Sequence, residues 1–157
     1  MKSLKNDFSL MSSLLIPVAV AINFAGFGIV KLLQVPIFLD SIGSVFISLI
    51  AGPWVGIVTA VITSLITGSF SPEYFAFIPV GICNALVVGL VGKIKTKNLI
   101  TKTIIVSLAL ALTSILVSIP IIIKVYGGFT GNASSTVVVL FKSLGFSLEQ
   151  AVGIATM

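Results

Sequence analysis

Asp40, Ser41, Glu73, Tyr74, Asn84, Tyr126, Thr130 and Asn132 are the residues of this chain whose types suit recognition of a small molecule. Carboxylate, phenol, amide and hydroxyl groups scattered through apolar sequence supply the few convergent polar contacts that orient a ligand in an otherwise apolar cavity. Catalysis is a different matter. The chain has no histidine, one cysteine and four acidic residues, and none of these stands in a nucleophile–base or metal-ligand spacing. No phosphate-binding glycine motif for ATP is present either. The expectation is a protein that is not an enzyme and uses no cofactor and no metal.

Each candidate also has a plainer reading. Asp40 precedes an apolar run and suits a helix N-cap, a role compatible with contacting a ligand. Glu73 follows Pro72 in a turn, where an exposed interfacial charge is ordinary. Asn84 sits mid-run, where it serves equally as a helix–helix hydrogen-bonding residue. The stretch Tyr126-Gly127-Gly128-Phe129-Thr130-Gly131-Asn132 brings backbone close to a ligand or is simply a loop. Cys83 reads as a small buried hydrophobe.

The elements that position these residues are helices in a bilayer. Of 157 residues, 57% are hydrophobic and 8% charged, whereas a soluble domain carries about a quarter charged. The fold class is therefore all-α, a polytopic membrane helix bundle forming one domain over 1–157. Apolar runs and their breakers predict six helices, at about 12–33, 41–51, 53–68, 73–92, 99–126 and 147–157, with an external loop region at 127–146. The second is short for a full crossing. Pro120 lies within the fifth, and the sixth, with Ser147 as N-cap and Gln150 at N3, is cut off at Met157, as in a fragment. The first is too long for a signal-peptide core and stays as a spanning helix; Lys31 near its end can snorkel.

Small residues recur at four-residue spacing. Ser44, Ser48, Gly52, Gly56, Ala60, Ser64 and Gly68 form one series, interrupted by Pro53, which marks two helices meeting near Gly52-Pro53. Gly81, Ala85 and Gly89 form another. In lipid, such stripes allow close helix packing, so Gly52, Gly56, Ala60, Ser64 and Gly68 are expected to hold the third helix against Gly81, Ala85 and Gly89 of the fourth. Thr59, Thr63 and Thr67 run beside the first series and can bond their own helix's carbonyls. Ala21 and Ala25, with Asn23 between them, serve either internal packing or partner docking.

All nine basic residues are lysines, gathered mostly at the edges of apolar runs, and Lys93, Lys95, Lys97 and Lys102 are the densest group. That distribution sets membrane topology and offers no nucleic-acid surface. It places the lysine-rich loop and, counting back four crossings, the N-terminus in the cytoplasm.

The order Pro36-x-x-Leu39-Asp40-Ser41-Ile42-Gly43, then Gly52-Pro53-Trp54-x-Gly56, then the Tyr126–Gly131 loop resembles the membrane-embedded substrate-binding subunits, or S components, of energy-coupling factor vitamin transporters. Ala21-x-x-x-Ala25 is similar to the alanine motif by which such subunits dock on their coupling protein. The resemblance implies a subunit of a bacterial cell membrane, without ATPase activity. It would capture a vitamin or related micronutrient from outside and associate with a transmembrane coupling protein and two ATPases. The chain is also similar to sensory membrane modules of bacterial signalling systems, which bind ligand without transport.

Overall fold

The computed structural model describes residues 10–33, 39–94 and 98–127, with short pieces at 143–145, 147 and 149–150. These residues form helices and turns, with no strand among them. Helix α1 spans Leu10–Leu33. A 3-10 turn, Leu39–Ser41, leads into α2, Ile42–Ala51. Then follow α3, Pro53–Phe70, the one-turn α4, Glu73–Ala76, α5, Ile78–Val91, and α6, Leu99–Tyr126. Three of these, α1, α3 and α6, are long and apolar enough to cross a membrane, whereas α2 and α5 are shorter. At about 1.5 Å per residue, the ten residues of α2 advance only about 15 Å, half of a hydrocarbon core of about 30 Å.

The interior combines small and polar side chains with larger apolar ones such as Ile47, Val55 and Val88. Asn23, Ser44, Ser48, Thr59, Thr63 and Thr67 are buried alongside Ala60 and Ala85, while Leu14, Leu32, Phe46, Ile100, Leu108 and Leu116 are exposed. That distribution is the expected one where lipid solvates the outer face and close backbone approach joins the helices. Burial of the hydroxyls is tolerable because each has a hydrogen-bond partner, Ser44 and Thr63 accepting from the Asn23 amide. Ser48 donates to the Ser44 carbonyl, Thr59 to that of Val55 and Thr67 to that of Thr63.

The small-residue series serves several neighbours in turn. Gly52 takes φ 105°, a conformation glycine adopts without strain, and Pro53 follows as the first residue of α3. The chain therefore folds back there and sets Gly56 of α3 against Ser48 of α2. Further along, Ala60 and Ser64 lie beside Gly81 of α5, and Gly68 lies beneath the ring of Phe75. Gly89 of α5 meets Pro53, and Gly92 meets Leu49. A Cβ at Gly56 or Gly89 would collide with its neighbour, and α5 accordingly packs closely on α3 and against α2.

Two boundaries differ from those predicted. The single helix expected over 73–92 is two, α4 and α5, broken at Phe77. Pro79 is the reason: it has no N–H to bond backwards, and its ring crowds the carbonyl four residues earlier, so it sits in the first turn of a new helix. The N-cap of α2 is Ser41, not Asp40, and its side chain makes no capping bond; Asp40 lies inside the 3-10 turn. In the expected sixth helix, Ser147 and Gln150 exchange the reciprocal bonds of a capping box, while 148 and 151–157 lie outside the described residues. So does most of the 127–146 loop region, namely 128–142 and 146.

Candidate functional site

One end of the bundle collects most of the polar candidates. Helix α1 finishes there at Leu33, α2 begins there, α3 finishes, α4 turns, and α6 arrives at Tyr126. Tyr74 on α4 is flanked by Asp40 from the 3-10 turn and by Glu73, and burial plus these two carboxylates raise its phenol above the ordinary value. Its ring meets Phe27 of α1 edge-on, with centroids 5.2 Å apart. From the far side, the Tyr126 hydroxyl donates to the Glu73 backbone carbonyl at 3.1 Å. The Tyr126 ring lies parallel to Phe77 at 6.2 Å.

Asp40 is half-buried, and desolvation raises its carboxyl from the ordinary 3.8 to about 6, partly offset by a bond from its own backbone N–H. The turn that carries it is held by contact between backbones: Gly26 of α1 lies directly beneath the Leu39 carbonyl, where a Cβ would not fit. Asp40, Glu73, Tyr74 and Tyr126 are thus brought together by three different segments, the 3-10 turn, α4 and α6. Their chemistry is that of hydrogen-bonding and acidic groups beside the aromatic rings of Phe27 and Phe77.

Lys31 belongs to this end too. Its Nζ donates to the Ser71 hydroxyl at 2.9 Å and to the Phe70 carbonyl at 3.4 Å, and it lies 5.4 Å from the Phe27 ring centroid. A cation on the carbonyls that finish α3 stabilises the negative end of the helix dipole. Snorkelling, the expected role, is joined by a specific contact that sequence spacing did not signal.

Of the other described candidates, Ser41 shares this end and the rest are placed apart. Ser41 is half-buried beside Asp40. Asn84 lies mid-helix on α5, where its Nδ2 donates to Ser114 of α6 at 2.9 Å and its Oδ1 is buried without a partner among the described residues. Ala21 and Ala25 are exposed on α1. Ala21 also lines a shallow apolar groove of about 410 Å³ with Ile16, Val20, Phe24, Ile62 and Ile66. Thr130 and Asn132 lie outside the described residues.

The centre of the bundle holds a polar junction that the candidate residues do not include. Asn23 of α1 is fully buried and donates to Ser44 of α2 at 2.7 Å and Thr63 of α3 at 3.0 Å. Its Oδ1 accepts the Gly43 backbone N–H at 2.6 Å. A lone asparagine within a long apolar run was the available signal. Its bonds are all met within the protein, so it acts as a fastener. Among the described residues, no group of three or more His, Cys, Asp or Glu is arranged to hold a metal ion.

Compared with known proteins, the chain matches no family model, no curated protein and no solved structure.

Proposed function

We propose that this chain is the substrate-capture subunit of an energy-coupling factor importer. It takes up a vitamin or related micronutrient from outside the cell and passes it inward by docking on a transmembrane coupling protein served by two ATPases. It performs no chemistry of its own. The observation that carries the reading is the convergence of Asp40, Glu73, Tyr74 and Tyr126 at one end of a membrane-embedded bundle, opposite the end carrying Lys93 and Lys102. Lysines between spanning helices favour the cytoplasmic side, which orients the acidic, aromatic end outward, in a bacterial cytoplasmic membrane with the N-terminus inside. Half-buried polar groups of mixed type beside aromatic rings suit a small molecule with a polar edge and an apolar or planar body.

The exposed pair Ala21 and Ala25 supports the second half of the reading. Small side chains on the outer face of a spanning helix permit another helix to approach closely, and both are exposed.

The test begins with mass spectrometry of small molecules retained by the purified full-length protein, followed by titration against a vitamin panel. Asp40→Asn combined with Tyr74→Phe should weaken retention at least tenfold. Ala21→Leu or Ala25→Leu should leave retention intact and abolish uptake in cells expressing the coupling proteins. Loss of retention in the alanine variants, or no retained molecule across the panel, defeats the assignment. Retention without uptake by the wild-type chain points instead to a sensor.

A further inference from the structure

Helix α6 is fastened differently from the rest of the bundle. It packs on α5, and it is the least buried of the three spans. Its residues Ile100, Ile104, Leu108, Leu112 and Leu116 form an exposed stripe at four-residue intervals. Among the described residues, polar ties join it to α4 and α5 at two levels. At mid-helix, half-buried Asn84 bonds half-buried Ser114. At the outer end, Tyr126 bonds the Glu73 carbonyl and stacks on Phe77. Between the ties lies Pro120, which has no N–H for the Leu116 carbonyl and so removes one rung of the helix where bending is easiest.

Asn84 gives the seam a purpose. Whichever way its amide is turned, one polar end pairs with Ser114 and the other has no partner among the described residues. An unpaired amide end buried in a bilayer carries a desolvation cost, which a visiting polar group would relieve. Helix α5 has no ionisable residue except Cys83, and α6 has none between Lys102 and Lys124. A charged visitor would find no counter-ion there, so an uncharged one is favoured.

We propose that Ile121–Tyr126 is a lateral gate on the α5–α6 seam, latched by Tyr126 on Glu73 and hinged at Pro120, admitting small uncharged molecules toward Asn84. The gate rests on the capture reading only for the identity of its cargo.

The test replaces Cys83 by serine and places a reporter thiol on the buried inner face of α6 with Ser118→Cys. The purified full chain is then exposed to N-ethylmaleimide, which is small and uncharged, and in parallel to an anionic methanethiosulfonate. N-ethylmaleimide should react slowly with the parent and about fivefold faster with added Tyr126→Phe, the factor that one hydrogen bond of about 1 kcal/mol controls. Pro120→Ala should slow the reaction, and the anionic reagent should react at least tenfold more slowly than the neutral one throughout. A thiol placed at Ser48, between α2 and α3, should respond to neither change. Equal reaction of both reagents, insensitivity to Tyr126→Phe and Pro120→Ala, or a parallel rise at Ser48 would each overturn the gate. None of these results depends on whether the wild-type protein retains a micronutrient.

Discussion

The backbone N–H of Gly43 donates to the side-chain Oδ1 of Asn23 at 2.6 Å, so the helix that begins at Ile42 is capped by a residue on a different helix. The first N–H groups of any helix lack intrahelical acceptors, and Ser41 makes no capping bond. Asn23 supplies the missing acceptor while its amide nitrogen ties down Ser44 and Thr63. One side chain thereby sets the start of α2 and its register against α1 and α3.

Asn23→Ala should therefore destabilise the fold by about 2–4 kcal/mol, combining an uncapped helix, two stranded hydroxyls and a small cavity. Ser44→Ala and Thr63→Ala should each cost about 0.5–1 kcal/mol. Unfolding in detergent measures all three, and a loss below about 1 kcal/mol for Asn23→Ala would contradict the junction's role.

Glycines in α1 and α2 should respond with opposite signs. A Cβ at Gly43 would drive into the Ala19 carbonyl and reach 2.8 Å from Asn23 Oδ1, whereas one at Gly28 meets nothing within 4 Å. Gly43→Ala is expected to lose about 2 kcal/mol or more through overpacking against backbone. Gly28→Ala should be neutral or gain up to about 1 kcal/mol from helix propensity. Thermal unfolding of the two variants side by side checks the pair.

Asp40 gives the fold a pH dependence of known direction. Its carboxyl is raised to about 6 from 3.8, so the folded state binds a proton more readily than the unfolded chain. Between those values stability falls as pH rises, with the full cost present above about 6 and none below 3.8. Melting temperature should rise by several degrees on going from pH 7 to pH 4.5. Asp40→Asn should remove that increment and be the more stable protein at pH 7; an unchanged difference between the two across pH would refute the assignment.

Lys31→Met removes the donor that finishes α3 at Phe70 and Ser71. The expected loss is about 0.5–1 kcal/mol, recovered in part by Lys31→Arg. Differential melting of the two variants is the measurement, and no loss in Lys31→Met would mean that the aliphatic stem, not the donor, matters.

Much of the helical layout was legible. The Gly52-Pro53 joint, the limits of α3 within two residues, and α6 over 99–126 all follow from runs and breakers that act on their immediate neighbours. The split at Phe77 was written in Pro79, whose effect on the preceding turn is also local, but the apolar run from 73 to 92 outweighed it. Asp40 was read as a cap because capping rules look two or three residues downstream; the true cap of α2 stands at Asn23, twenty residues upstream of the N–H it accepts. Of the candidate site, the residue types were readable and their grouping was not. Nothing in spacing relates Tyr126 to Glu73 or Tyr74 to Phe27.

By itself, then, the sequence determined that this protein is helical, that at least three of its helices suit a bilayer, and where most of them break. Those properties depend on hydropathy and backbone preference summed over neighbouring residues. Only the tertiary structure decided that Asn23 fastens three helices, that Lys31 completes α3, and that Asp40, Glu73, Tyr74 and Tyr126 share one end. These are contacts between residues twenty to fifty or more positions apart, made where small side chains let backbones come close, and no local pattern encodes which of the many permitted approaches the helices adopt.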